Sequence, residues 1–242
     1  MKRFMFVGLI AILLLIVGLL PIMTAGAKQS NASPTLEKIT FIHYLKDQEH
    51  SKPVWDDTVT DYRFIAGGIR WVNTISYDIS TAGMPDYLLT NLEWVKSTLE
   101  ASSETWDEAV QNEFFGAELF STPSLTDEPL ISGDGKNTVG WASLKPGIIA
   151  VTTIWYNPAT KQIVEFDITF NTYYTWGDAE VTPGVMDLQN IATHEFGHNG
   201  LADLRPPKDA ELTMYYASTF GETKKRTLGV GDELGIKALY EA

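Results

Sequence analysis

The chain has no cysteine and only four histidines among its 242 residues. Without a thiol it forms no disulfide, carries no lipid through an N-terminal Cys, and cannot keep a metal site latent through a thiolate. Basic residues are also scarce, 18 Lys and Arg against 31 Asp and Glu, and this argues against nucleic acid as a partner, because a nucleic-acid surface needs clustered positive charge. No internal repeat is visible. Stability must therefore come from an apolar core and from any bound ion, and the length suits one sizeable domain.

The first residues stand apart. Lys2 and Arg3 precede an apolar run from Phe4 to Leu20, then Pro21 and the small residues Thr24-Ala25-Gly26-Ala27. That is the layout of a secretory signal peptide cleaved after Ala27; the alternative is an uncleaved membrane anchor. Residues 28–60 are polar and irregular, with one short apolar patch at Ile39 to Leu45, and read as an N-terminal extension or linker with a possible strand. His43 and His50 fall within it and are expected on the surface, with no assigned role. Residues 61–242 are expected to form the functional domain.

Within it, residues 69–80 read as a strand, since Trp71, Ile75, Tyr77 and Ile79 recur at even spacing. Pro85-Asp86 opens a helix carrying Leu88, Leu92, Val95, Leu99 and Trp106 as a core stripe. Residues 147–156 and 163–170 read as strands around a turn at Asn157-Pro158. In the second of them Val164, Phe166, Ile168 and Phe170 alternate with Glu165, Asp167, Thr169 and Asn171, as in a sheet with one face covered. A second helix is predicted over 185–199, with Leu188, Ala192 and Phe196 as its inward row, and a third over 229–242, whose Asp232 and Glu233 suit a helix N-terminus. The fold class is α+β in one domain.

His194-Glu195-Phe196-Gly197-His198 sits at the end of the second helix. On a helix this HExxH spacing places two imidazoles one turn apart on one face, where they can share a metal ion with a carboxylate beside it. Zinc suits neutral imidazole, and two His, one further protein ligand and a water make an open set. Such a set lowers the pKa of a bound water and polarises a carbonyl, while Glu195 is placed to act as general base. The nearest candidates for the third ligand are Asp203, Asp209 and Glu211; Gly200 can turn the chain back toward Asp203.

The block from Thr193 to Leu204, followed by Thr213-Met214-Tyr215, resembles the zinc-binding signature and Met-turn of the metzincins, particularly the matrixin-like secreted peptidases of prokaryotes. The resemblance extends over residues 61–242, through Trp71, the strand at Ile75-Ser76-Tyr77-Asp78-Ile79, the helix after Pro85 and Trp176-Gly177. It implies a twisted, mostly parallel sheet with an active-site helix, a Met-turn and a C-terminal helix. It also implies His194, His198 and Asp203 as zinc ligands, Glu195 as base and Met214 as a hydrophobic floor, with Asp as third ligand resembling the snapalysin-like branch. Here Gly200 and Asp203 stand six and nine residues after the first His, each one position short of the family pattern, as a single deletion after His198 produces.

The activity so implied is that of a secreted zinc-dependent endopeptidase acting on protein or peptide substrates, held at a membrane only if residues 1–27 persist. The alternative is an exported non-catalytic module whose short turn has spoiled the third ligand. The resemblance also makes the Ala150-Val151-Thr152-Thr153-Ile154 strand a candidate edge for pairing with an extended substrate, and gives Tyr216 either an oxyanion-assisting or a packing role. Asp134, Glu165 and Asp167 could hold a structural calcium ion, although alternating strand acids more often form a solvated face.

Overall fold

In the computed structural model the described residues are 35–46, 60–110 and 118–240. The signal-peptide segment and His50 lie outside them, and no described helix is long and apolar enough to cross a membrane. In chain order the strands are β1 (Glu37–Leu45), β2 (Asp78–Ser80), β3 (Ser124–Thr126), β4 (Thr138–Ala142), β5 (Ile148–Asn157), β6 (Gln162–Asn171), β7 (Trp176–Gly177), β8 (Met186–Asp187) and β9 (Ala217–Ser218). The helices are α1 (Asp86–Leu89), α2 (Leu92–Val110), α3 (Leu188–Gly197) and α4 (Val230–Tyr240).

Seven strands form one sheet in the order β3-β2-β4-β6-β5-β1-β9. All neighbours are parallel except β6 with β5 and β5 with β1. A mostly parallel sheet is what the family resemblance implied. α1 and α2 carry the chain from β2 back to its parallel neighbour β3, as a parallel pair requires. The core between sheet and helices is rich in aromatics: Phe196 of α3 lies 5.0 Å from the Tyr77 ring and 5.4 Å from that of Phe120. Offset and edge contacts of this kind add to the area such rings bury.

Four local expectations change. The even spacing at residues 69–80 buries Trp71, Ile75, Tyr77 and Ile79 as expected, but only the last three residues of the segment form a strand. Its earlier polar groups bond to separate elements: the Trp71 amide donates to the Tyr240 hydroxyl at 3.2 Å and the Ile75 amide to Leu119 O at 2.7 Å. The helix after Pro85 breaks at Thr90-Asn91 into α1 and α2. α3 is buried almost all round rather than along one row, because α2, β5 and the 3-10 turn Lys224–Arg226 pack around it.

β6, finally, is covered on both faces, so Glu165 and Asp167 are buried rather than solvated. The carboxylate of Glu165 accepts the Gly133 and Gly135 amides at 2.5 and 2.7 Å. Both glycines have left-handed φ, +89° and +83°, which lets the turn fold over the strand and point successive amides at one side chain. Asp134 accepts the Lys136 amide within that turn. Glu165 thus anchors a loop.

Candidate metal centre

The HExxH helix is held at both ends. Asp187 caps its start, accepting the Asn190 amide at 2.8 Å, and the same carboxylate takes Arg226 Nε at 2.9 Å and the Ala179 amide at 2.9 Å. Midway, Trp106 Nε1 of α2 donates to Thr193 O at 2.8 Å. At the far end Gly197 lets two side chains close in. A Cβ there would stand 2.3 Å from Met214 Sδ and 2.5 Å from the Trp106 ring, so no larger residue fits without moving one of them. Met214 is thereby packed under the last turn of α3.

The chain then leaves the helix and returns. His198 is the C-cap, and the Gly200 and Leu201 amides both donate to Gly197 O, at 3.2 and 2.9 Å. Gly200 is needed for space rather than for a left-handed φ, since a Cβ would stand 2.5 Å from Leu239 Cδ2. Ala202 N donates to Arg63 O at 2.7 Å, Arg63 Nη2 donates to Asp203 O at 2.9 Å, and Leu204 N donates to Met214 O at 2.8 Å. These bonds fix the backbone on both sides of Asp203.

The short turn therefore carries Asp203 to the histidines. Its Oδ1 lies 3.4 Å from His194 Nε2 and 3.6 Å from His198 Nε2, and the three donor atoms all fall within 4.8 Å of one another. Tetrahedral bonds of about 2.1 Å put neighbouring donors about 3.4 Å apart, so the spacing suits zinc. All three atoms are buried and without a hydrogen-bond partner. Native interiors rarely leave such atoms orphaned, and a cation at their centre would satisfy all of them together.

The ring orientations support this. His194 Nδ1 donates to Thr213 O at 2.7 Å and His198 Nδ1 to Leu201 O at 2.9 Å. A carbonyl can only accept, so the ring proton sits on Nδ1 and each Nε2 presents a lone pair inward. Burial lowers the pKa of both rings, that of His198 to about 3, which keeps them in the neutral form that binds metal.

Behind Thr213 stands a residue that the sequence reading placed only as a helix-start acid. Asp232, buried in the first turn of α4, accepts the amides of Thr213 at 2.7 Å, Met214 at 3.1 Å and Gly229 at 2.9 Å. It ties α4 to the turn whose carbonyl orients His194. Asp232→Ala leaves three amides unsatisfied and is expected to cost about 3 kcal/mol or more. It should also weaken metal binding about tenfold. Chemical denaturation and zinc titration read the two effects, and an unchanged denaturation midpoint would mean that the turn is held by other contacts.

Glu195 is wholly buried and groups with His194 and His43. Its Oε2 accepts the hydroxyl of Thr152 from β5, and burial, partly offset by that bond, pushes its pKa up to about 8. Its Oε1 faces His43 Nδ1 at 3.3 Å. The expectation of an exposed His43 is overturned: it is 1% exposed, because β1 pairs antiparallel with β5 along Glu37–Tyr44 and parallel with β9, which carries it across the site. The His43 ring stands edge-on to His194 with centroids 4.0 Å apart, and Phe41 stacks on His198 at 4.0 Å and 10°.

The buried ammonium of Lys225 adds a positive charge nearby. It donates to Tyr215 O and Ala217 O and lies 3.4 Å from His43 Nε2; burial draws its pKa down to about 8. Of the other third-ligand candidates, Glu211 faces Lys224 at 3.2 Å, and Asp209 is not grouped with the histidines. Tyr216 packs with Tyr44, Tyr215 and the Arg205 guanidinium, the last 5.1 Å from its ring centroid.

A mixed α/β domain with a buried His-His-Asp cluster and an adjacent carboxylate could house a metal-dependent hydrolase. No family model matches the chain. Among curated proteins it is similar to metalloendoproteinase 1-MMP of Arabidopsis thaliana, 28% identical over 189 aligned residues that take in 76% of this chain and 48% of the relative. The chain thus spans about half the length of the curated relative it matches. This likeness supports a matrixin-like metallopeptidase family, without separating its branches.

Proposed function

We propose that the protein is a secreted zinc-dependent endopeptidase in which His194, His198 and Asp203 hold the metal and Glu195 is the general base. The observation that carries the reading is the trio of orphaned donor atoms spaced for a tetrahedral ion, with the carboxylate of Glu195 beside it. Zinc, when bound, supplies Lewis acidity toward a water and a peptide carbonyl. Glu195 then takes a proton from the attacking water and passes it to the leaving amine nitrogen. Thr152 fixes one carboxylate oxygen and leaves the other free for the reaction. Export is supported by the layout of residues 1–27.

The non-catalytic alternative supposes a turn too short to bring Asp203 to the histidines, and the distances of 3.4 and 3.6 Å count against it. The test pairs metal analysis with hydrolysis of a peptide library, on the intact chain and on chain cleaved between residues 46 and 60. One zinc per chain is expected, with hydrolysis abolished by a chelator and restored by one equivalent of zinc. Hydrolysis that persists in metal-free protein, or none from either preparation, overturns the reading.

A further inference from the structure

We propose that the pocket beside Glu195 selects a carboxamide side chain, so that the peptides cleaved carry glutamine on the amine side of the broken bond. The purpose of the pocket rests on the peptidase reading; the polarity of its wall does not.

Residues of α3, β9 and the 3-10 turn Lys224–Arg226 line this pocket, and the buried ring of His43 fills it. Glu195 delivers its proton to the leaving nitrogen, so the residue that supplies this nitrogen must sit next to Glu195. His43 occupies that place, with Nδ1 3.3 Å from Glu195 Oε1 and its ring edge-on to His194. What the wall offers to His43 it offers to the side chain of that residue.

Two polar groups form the wall, and their partners fix which way each proton points. Asn190 Oδ1 accepts the Lys225 amide at 2.8 Å, so its Nδ2 faces Ser218 Oγ at 3.5 Å. The Ser218 hydroxyl spends its one proton on Glu222 Oε1 at 3.0 Å. Toward the pocket it therefore presents a lone pair, and His43 Nε2, 2.9 Å away, donates to it. Lys225 Nζ is the second group. An ammonium has three protons and accepts nothing; Tyr215 O and Ala217 O take two of them, and the third faces His43 Nε2 at 3.4 Å. That nitrogen already carries a proton and cannot accept another. The wall thus holds an acceptor and a donor side by side, and histidine satisfies the acceptor alone.

A carboxamide answers both. Its NH2 donates to Ser218 Oγ while its oxygen accepts from Lys225, and glutamine is long enough to bring its amide nitrogen about where the Nε2 of a histidine lies. An aliphatic side chain leaves both groups buried and unpaired, which costs more than a hydrogen bond contributes when it is made. A carboxylate pairs with Lys225, but it has no proton for Ser218 and meets the negative charge of Glu222 behind it. Sites built to hydrogen-bond a substrate discriminate more sharply than apolar pockets for this reason.

The experiment has two arms, both at pH 7. In the first, His43→Gln, His43→Glu and His43→Met are made in the full chain and unfolded in denaturant without metal, so that no variant side chain gains by binding an ion. Gln and Met have the same unbranched length, so their difference isolates the amide. The folded-to-unfolded ratio of the Gln variant should exceed that of the Met variant by about tenfold or more, and should exceed that of the Glu variant as well. In the second arm, the zinc-loaded wild type, intact and cleaved between residues 46 and 60, is given a peptide library, and mass spectrometry reads the cleavage points. Peptides with Gln on the amine side of the bond should show kcat/KM at least about tenfold above those with Met or Glu there.

A stability order led by Gln, with no hydrolysis from either preparation, supports the pocket and counts against the peptidase reading alone. Hydrolysis that prefers an aliphatic or acidic residue at that position overturns the proposal. A Met or Glu variant as stable as the Gln variant overturns it too.

Discussion

Replacing Glu195 by Gln is expected to lower peptide hydrolysis by about 100- to 10,000-fold, the usual contribution of a positioned general base, while zinc content stays at the wild-type level. The amide has nearly the shape of the carboxyl, and its oxygen can still accept the Thr152 hydroxyl, so the groove keeps its form. What is lost is a group that can take a proton from water and return it. Zinc titration and hydrolysis should be measured on the same preparations, cut between residues 46 and 60, so that failure to bind metal is not mistaken for loss of the base. Activity above about a tenth of wild type would remove Glu195 from its role.

The same variant has an opposite effect on stability, with a definite pH signature. Burial raises the Glu195 pKa from 4.5 to about 8 in the folded chain. Below pH 4.5 the group is neutral in both states and costs the fold no ionisation penalty. Between 4.5 and 8 the unfolded chain gains by ionising while the folded chain does not, so wild-type stability falls as pH rises through this window. Gln does not ionise. In metal-free protein Glu195→Gln should therefore become progressively more stable than wild type from about pH 4.5 to pH 8, as thermal or chemical denaturation would show. A constant difference across that range would mean that the carboxyl is not held neutral by burial.

The parts of the site legible in the sequence are those fixed by local geometry. His194, Glu195 and His198 are readable because helical periodicity places residues four apart on one face, and the chain makes its helix there within a few residues of the expected ends. Asp203 was one of three acids within reach, singled out by Gly200 and by the family pattern rather than by helical spacing. The choice depends on Arg63, which lies 140 residues away and holds the Asp203 carbonyl, and on the ladder between Leu204 and the Met214 turn.

His43 was missed for a related reason. Its partners are β5 and β9, more than a hundred residues on, and the polar residues around it suggested a tail. The available signal was weak but physical: Ile39, Phe41, His43 and Leu45 recur with period two, and a histidine within an apolar alternation points where its neighbours point. Lys225 offered less, sitting in the run Lys224-Lys225-Arg226, since consecutive cations are most often solvated. Only the fold shows that its ammonium is spent on the carbonyls of Tyr215 and Ala217.

Asp203→Ala is expected to weaken zinc binding by more than the roughly 10- to 100-fold that loss of a ligand's supporting partner costs, with hydrolysis falling in proportion. The fold should survive: Arg63 bonds to the Asp203 backbone carbonyl, not to its side chain, and the flanking amides of Ala202 and Leu204 keep their acceptors. Asp203→Asn separates shape from charge, because it keeps a neutral oxygen in place but removes the anion that balances the cation. Its affinity should fall between those of wild type and the Ala variant. Normal zinc affinity in Asp203→Ala would direct attention to the other cluster, in which His43 joins His194 and Glu195. That outcome would make β1 itself part of the metal's coordination, and it would predict that cutting the chain after residue 46 releases zinc along with the strand. Zinc retained by the cut chain, together with zinc lost from Asp203→Ala, assigns the third ligand to the short turn.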